Sequence, residues 1–223
     1  RRSGPWHEGE MTRSSFALVG LIFSLTLLSY LSTPVRSQTP PNIPLNGPQP
    51  TVVLVRVVAH GAMVLGQEVG RARVTITEVA TGQILATGLQ EGGAGDQNQI
   101  MRTPHMIEEP VYTSRPAAVF TTTLRLHKPT LVEISAEGPL AYPAASQKTS
   151  KTLLVIPGQD LTHDGIVLHL YGYLIHIERP TPHEPLIAKD DVKRQASVRT
   201  LSGSLVRPHG DWDSRKIRIY GEV

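Results

Sequence analysis

The stretch ARVTITEVATGQILATG, Ala72 to Gly88, decides the fold. In its first half Val74 and Ile76 alternate with Thr75 and Thr77, the period of two that sends successive side chains to opposite faces of a strand. Ala80-Thr81-Gly82-Gln83 then carries a turn signal, and Ile84 to Thr87 returns as the partner strand. The stretch therefore predicts a β-hairpin with one apolar face, which needs a second layer to cover it.

Outward from the hairpin the same period recurs. On the N-terminal side TVVLVRVVA, Thr51 to Ala59, is a β-branched run of strand length. On the C-terminal side AVFTTTLRL places Phe120, Leu124 and Leu126 on one face and Val119, Thr121, Thr123 and Arg125 on the other, until Lys128-Pro129 breaks it. TLVEISA turns Val132 and Ile134 inward and stops at Glu137-Gly138-Pro139. TLLVIPG and GIVLHLYGYLIHI complete about seven short strands separated by Gly/Pro turns, the pattern of an antiparallel β-sandwich of immunoglobulin-like type. Glu91 to Pro116 interrupts this order with an irregular stretch longer than compact domains ordinarily tolerate. The expected domain is 51–178, followed by a Pro-rich, charged linker at 179–195 and the start of a second β domain at 196–223, where ASVRTLSGSLV and RKIRIYGEV again read as strands.

Composition agrees with an all-β chain. Of 223 residues 39% are hydrophobic, enough for a core, while 19 glycines, 18 prolines and 5% aromatics favour many turns over long helices. The net charge is +3 and the isoelectric point near 9.3, but lysines and arginines are dispersed. No basic run exists to track a nucleic acid, so none is expected as a partner. The absence of cysteine excludes disulfides, thiolate metal sites and a cysteine nucleophile.

The N-terminal region reads as an address. Met11 and Arg13 precede the apolar segment FALVGLIFSLTLLSYL, and Val35 and Ser37 are small residues at the −3 and −1 positions of a secretory signal peptide, which predicts cleavage after Ser37. The chain is then secreted or periplasmic and bacterial, with membrane contact only through 11–37 should the segment stay uncleaved; Phe16 to Leu31 is close to the short limit for a span. Residues 1–10, RRSGPWHEGE, read as an untranslated leader ahead of the true start, and 38–50 as a Pro-rich tether.

The segment VRVVAHGAMVLGQEVGRARVTITEVATGQILATG resembles the opening of bacterial carboxypeptidase-regulatory-like and related transthyretin-like or immunoglobulin-like modules. Gly70, Ala72, Val74, Ile76, Thr81 and Gly82 carry the resemblance, and the passage GLQEGGAGDQNQ departs from the family's short Thr-Asp-x-x-Gly-x-Phe continuation. The resemblance implies a noncatalytic module serving adhesion, carbohydrate contact, envelope assembly or spacing.

Chemistry-bearing motifs are few. There is no Gly-x-Ser-x-Gly elbow, and Leu201-Ser202-Gly203-Ser204 is a turn. GGAGDQNQ lacks the Lys-Ser/Thr of a phosphate loop, and Asp96-Gln97-Asn98 reads as a polar turn rather than a calcium loop. Glu108-Glu109 and Asp190-Asp191 read as solvated surface. Nine histidines make copper or zinc the sharper alternative, yet none are spaced HxH or HxxxH. His105, in the long irregular stretch, and His169 are the candidate metal ligands. His169 and His176 in GIVLHLYGYLIHI cannot chelate together, because seven residues of strand separate them by roughly 23 Å. That stretch reads as the last long strand of the domain.

Carbohydrate contact calls for loop aromatics, and Tyr112, Tyr142 and Trp212 are the candidates. The expected function is a noncatalytic binding or structural module of the bacterial envelope, without a cofactor, whose partner is an envelope protein or a carbohydrate. The alternatives are a periplasmic histidine-dependent Cu/Zn-binding protein and, third, a hydrolase accessory or carbohydrate-binding module.

Overall fold

The structure, a computed structural model, describes residues 47–59, 62–181, 183–185, 192 and 194–220. The expected leader, signal segment and most of the tether, together with His60 and Asp190-Asp191, lie outside the described residues.

The chain forms an all-β sandwich. The first sheet is built on β1 (Gln49–Ala59), flanked by β4 (Phe120–Leu126) and β7 (Leu161–Leu170). The second has the order β3-β2-β5-β6, from β2 (Arg73–Glu78), β3 (Ile84–Leu89), β5 (Thr130–Gly138) and β6 (Gln147–Val155), and is antiparallel throughout. The period-two strands bury the expected residues. Val74, Ile76, Val132 and Ile134 from one sheet meet Val53, Val55, Val57, Phe120, Leu124 and Leu168 from the other in a single core. The turn between β2 and β3 falls on Thr81-Gly82, as the hairpin signal requires.

Four sequence expectations are modified. β1 starts at Gln49, two residues inside the expected tether, because Gln49 and Pro50 already pair with Leu126 and Arg125. β1 and β7 run parallel, so the sandwich is not wholly antiparallel. GIVLHLYGYLIHI is not one long strand: β7 ends at Leu170, and β8 (Tyr173–Arg179) leaves for another partner. Gly172 at φ +136° makes the break, in backbone space that side chains rarely enter. The Gln147 side-chain amide donates to the Tyr171 carbonyl at the corner. Finally, the segment from 195 onward joins the same compact unit rather than standing apart. β9 (Gln195–Thr200) pairs antiparallel with β8, and Leu174 and Leu201 enter the main core. Two short parallel strands, β10 (Val206–Arg207) and β11 (Trp212–Asp213), follow.

β1 is covered on both faces, which explains its unbroken apolar run. Val53, Val55 and Val57 face the core, while Val58 packs on the other side with Val64 and Ala118, backed by Tyr112 and Val167. The irregular stretch 91–116 is thus a cover for the outer face of the first sheet. Isolated bridges from Glu91 to Val119 and from Gly93 to Ala117 tie down its ends. Its one helix, α1 (Gln97–Met101), is capped where the Asp96 carboxylate accepts the Gln99 N–H at 2.9 Å.

A bulge in β7 fastens this cover. Pairing with β1 jumps from Val53–Leu161 to Val55–Ile166, and His163 at φ +61° and Gly165 at φ +67° turn the excess chain outward. A Cβ on residue 165 would lie 2.2 Å from the Leu54 carbonyl oxygen, so only glycine fits. The bulge carbonyls of His163 and Asp164 accept from the buried Arg56 guanidinium at 2.9 and 2.8 Å. Burial pulls the Arg56 pKa down, and the Asp164 charge opposes that shift. The Asp164 carboxylate points the other way and accepts the Val111 and Tyr112 N–H groups, each at 2.7 Å.

Where β4 stops pairing, beyond Val55, a side chain replaces the missing strand. Gln90 is fully buried. Its Oε1 accepts the Val57 N–H at 2.9 Å, and its Nε2 donates to the carbonyls of Val57 at 3.3 Å and Leu65 at 2.5 Å. The Leu65 N–H also donates to the Val57 carbonyl at 2.9 Å. Buried backbone groups left without partners cost about 1–3 kcal/mol each.

Gln90→Leu, which strands the Val57 N–H and the Leu65 carbonyl, should therefore lower the unfolding free energy by about 3 kcal/mol. Urea denaturation checks this as a lower midpoint at an unchanged slope. Asp164→Ala should leave the core intact and loosen the cover, so that trypsin cuts after Arg102 much faster than in the parent protein; an equal cleavage rate would refute the fastening role.

Candidate functional site

The C-terminal turn RPHGDW is the place where chemistry-bearing side chains converge. Asp213, 8% exposed, organises it. Its carboxylate accepts the backbone N–H groups of Arg215 at 3.0 Å and His209 at 3.4 Å. It also receives the Arg215 guanidinium in a fork, Nε at 3.0 Å to both oxygens and Nη2 at 2.5 Å. These bonds, those from Arg215 first, hold the Asp213 pKa far below the ordinary carboxylate range. His209, at φ +59°, and Gly210 close the turn. Its strand β11 presents Trp212 beside β10.

Asp211 reaches in the opposite direction, to α1 in the cover. Its two oxygens accept from Arg102 Nη2 and Gln97 Nε2, each at 2.5 Å. The Arg102 bond is the largest cause of the downward shift of the Asp211 pKa, and the Arg207 charge adds to it. Arg102 is itself oriented by a 3.0 Å bond to the Asn98 side chain.

Between the two elements lies a cleft of about 240 Å³ lined by Gln97, Ser204, Leu205, Arg207, Asp211 and Trp212. The Trp212 Nε1 is buried without a hydrogen-bond partner among the described residues. Arg207 is exposed and takes part in no ion pair among the described residues. The lining therefore combines an indole with an amide, a carboxylate, a hydroxyl and a guanidinium. Such a set offers directed donors and acceptors beside an apolar ring.

The other sequence candidates lie apart from this cleft. Tyr142 borders a separate concavity of about 380 Å³ with Leu174, His176 and Arg199. Tyr112 packs behind β1, and burial, with the nearby Asp164 charge, raises its pKa. His105 sits by the cover helix with Nε2 2.8 Å from the Gln99 carbonyl, and its Nδ1 is buried without a partner. His169 is exposed on β7 and stacks on Tyr171 at 6.4 Å between ring centres. Among the described residues no group of three or more His, Asp or Glu side chains is placed to hold a metal ion.

Only Trp212 of the predicted residues belongs to the cleft. Gln97, Arg102, Arg207 and Asp211 escaped the sequence reading, which took Asp96-Gln97-Asn98 as a polar turn. One signal for the helix was present: Asp96 with Gln99 three residues on has the spacing of a capping box. Nothing local foretold that Gln97 would meet Asp211, 114 positions away.

Searches against family models, curated proteins and solved structures found no match. No helix among the described residues is long and apolar enough to cross a membrane.

Because the folded pKa of Asp213 is depressed, its stabilising effect is complete above the unfolded value of about 3.9 and is lost only as pH falls through the lower folded value. Carboxyl-carbon NMR should show Asp213 still ionised at about pH 3, where an unperturbed aspartate is mostly protonated. Titration of Asp213 at the ordinary value would contradict the fork.

Proposed function

We propose that this chain is a noncatalytic binding module of the bacterial envelope and that the Trp212 cleft is its contact for a saccharide. The observation that carries this reading is the convergence of the Trp212 indole with Gln97, Arg207 and Asp211 in one concavity. Sugar rings expose C–H groups on one face and a rim of hydroxyls, each both donor and acceptor. An aromatic ring serves the first, and planar amide, carboxylate and guanidinium groups serve the second.

The side chains are held before any ligand arrives. Asp211 is fixed by two bonds from the cover helix, and the turn bearing Trp212 is fixed by Asp213. Preorganisation of this kind reduces the entropy lost on binding. At about 240 Å³ the cleft is smaller than pockets for drug-sized ligands, which suits one sugar unit at a chain end or branch. Export is supported by the signal-like segment before Ser37, and a noncatalytic role by the resemblance to carboxypeptidase-regulatory-like modules.

Trp6 and Trp212 are the two tryptophans of the sequence, so after cleavage at Ser37 the cleft residue is the sole source of tryptophan fluorescence. Titration with neutral hexose, amino-sugar and uronic-acid oligosaccharides should give a saturable change with at least one class. Calorimetry with that class should show binding abolished by Trp212→Ala and weakened about tenfold or more by Asp211→Ala, the scale of one lost charged hydrogen bond. Absence of saturable binding to all three classes, or binding indifferent to Trp212→Ala, would overturn the assignment.

A further inference from the structure

The β8–β9 hairpin carries a second concavity that the saccharide reading does not use. Ile175 and Ile177 share one face of β8 by the period of two, and past an irregularity in the ladder Arg179 lines the same concavity. Across the ladder Ile175 pairs with Val198, Ile177 with Ala196 and Arg179 with Gln195. Leu174, on the other face, is buried in the core, yet Ile175 and Ile177 are 68% and 66% exposed. Ile219 and Tyr220 close the far wall, giving a trough of about 500 Å³ whose floor, Val198, is only 9% exposed. Single exposed isoleucines are ordinary on a protein surface, but several converging on one ligand-sized trough are not.

The trough has a polarity. Arg179 and Arg194 stand at the end of the hairpin where the connection between the strands departs, while Ile175 and Val198 lie four positions further in, about 13 Å along the strand. Arg179 meets Glu184 at the loose distance of 3.6 Å, and Arg194 has no ion pair among the described residues. Cationic charge at one end and aliphatic walls beyond it match the head and tail of an anionic amphiphile. Along Ile175, Ile177 and Val198 a peptide would bring backbone N–H and C=O groups against side chains that offer them no partner, a costly desolvation. A flat bilayer surface would not reach the Val198 floor.

We propose that this trough binds a monomeric single-chain anionic amphiphile of the fatty-acid class. The carboxylate sits between Arg179 and Arg194, and the acyl chain runs along Ile177 and Ile175 over Val198.

Isothermal titration of the purified protein with dodecanoate, kept below its micelle concentration, tests this. Dodecyl maltoside and dodecyltrimethylammonium supply neutral and cationic heads, and phosphatidylglycerol vesicles supply a bilayer. The expected result is saturable one-to-one binding of dodecanoate, about tenfold weaker with Arg194→Glu and lost with Ile177→Asp. Both positions are on the surface, and unchanged circular dichroism confirms that the variants fold. Equal affinity for all three heads, dodecanoate binding unmoved by both variants, no binding of dodecanoate, or capture by vesicles alone would each overturn the proposal. Retained dodecanoate binding by Trp212→Ala keeps this site distinct from the saccharide cleft.

Discussion

Burial of β1 on both faces and along both edges is the constraint on which the rest of the structure depends. One face supplies Val53, Val55 and Val57 to the core, and the other needs a cover because Arg56 and Val58 are buried there too. Each edge must also satisfy backbone N–H and C=O groups away from water. β7 does this along one edge. β4 does it along the first half of the other, and the Gln90 amide takes over at Val57. A glutamine in a core is tolerable only when its donors and acceptor are engaged, and here they stand in for strand hydrogen bonds.

The cover follows from the same constraint. A cationic side chain beneath it needs acceptors, and the β7 bulge provides two carbonyls to Arg56 while turning the Asp164 carboxylate into the loop. Placing the loop there places α1, and α1 brings Gln97 and Arg102 to Asp211. The cleft beside Trp212 is thus a downstream consequence of how the central strand is buried. Exposed ion pairs contribute little to stability by themselves, so the Arg102–Asp211 pair matters chiefly for position. The Asp213–Arg215 fork differs in being bidentate, joined by two backbone donors and set on a carboxylate that is itself buried.

Much of the fold was legible in the sequence, and the site was not. Val74/Ile76, Phe120/Leu124/Leu126 and Val132/Ile134 declared their faces because alternation is a local property of the strand. The turn at Thr81-Gly82 was equally local. The corner at Gly172 escaped because apolar residues continue on both sides of it, and periodicity carries no mark of a change of partner. The covering role of 91–116 escaped because its anchor is Asp164, 52 positions beyond Tyr112. Of the aromatic candidates, Trp212 fell in a polar cleft, whereas Tyr112 became part of the packing behind β1.

The amino-acid sequence by itself determined the all-β class, most of the strands and which of their side chains face inward, since these depend on neighbours two residues apart. Tertiary structure alone decided that β7 lies parallel to β1, that β8 and β9 pair within the same unit, and that Gln97 and Asp211 meet. The physical reason is that backbone hydrogen bonding is nearly the same for every residue, so a strand's partner is chosen by which arrangement buries apolar faces while keeping buried backbone groups paired.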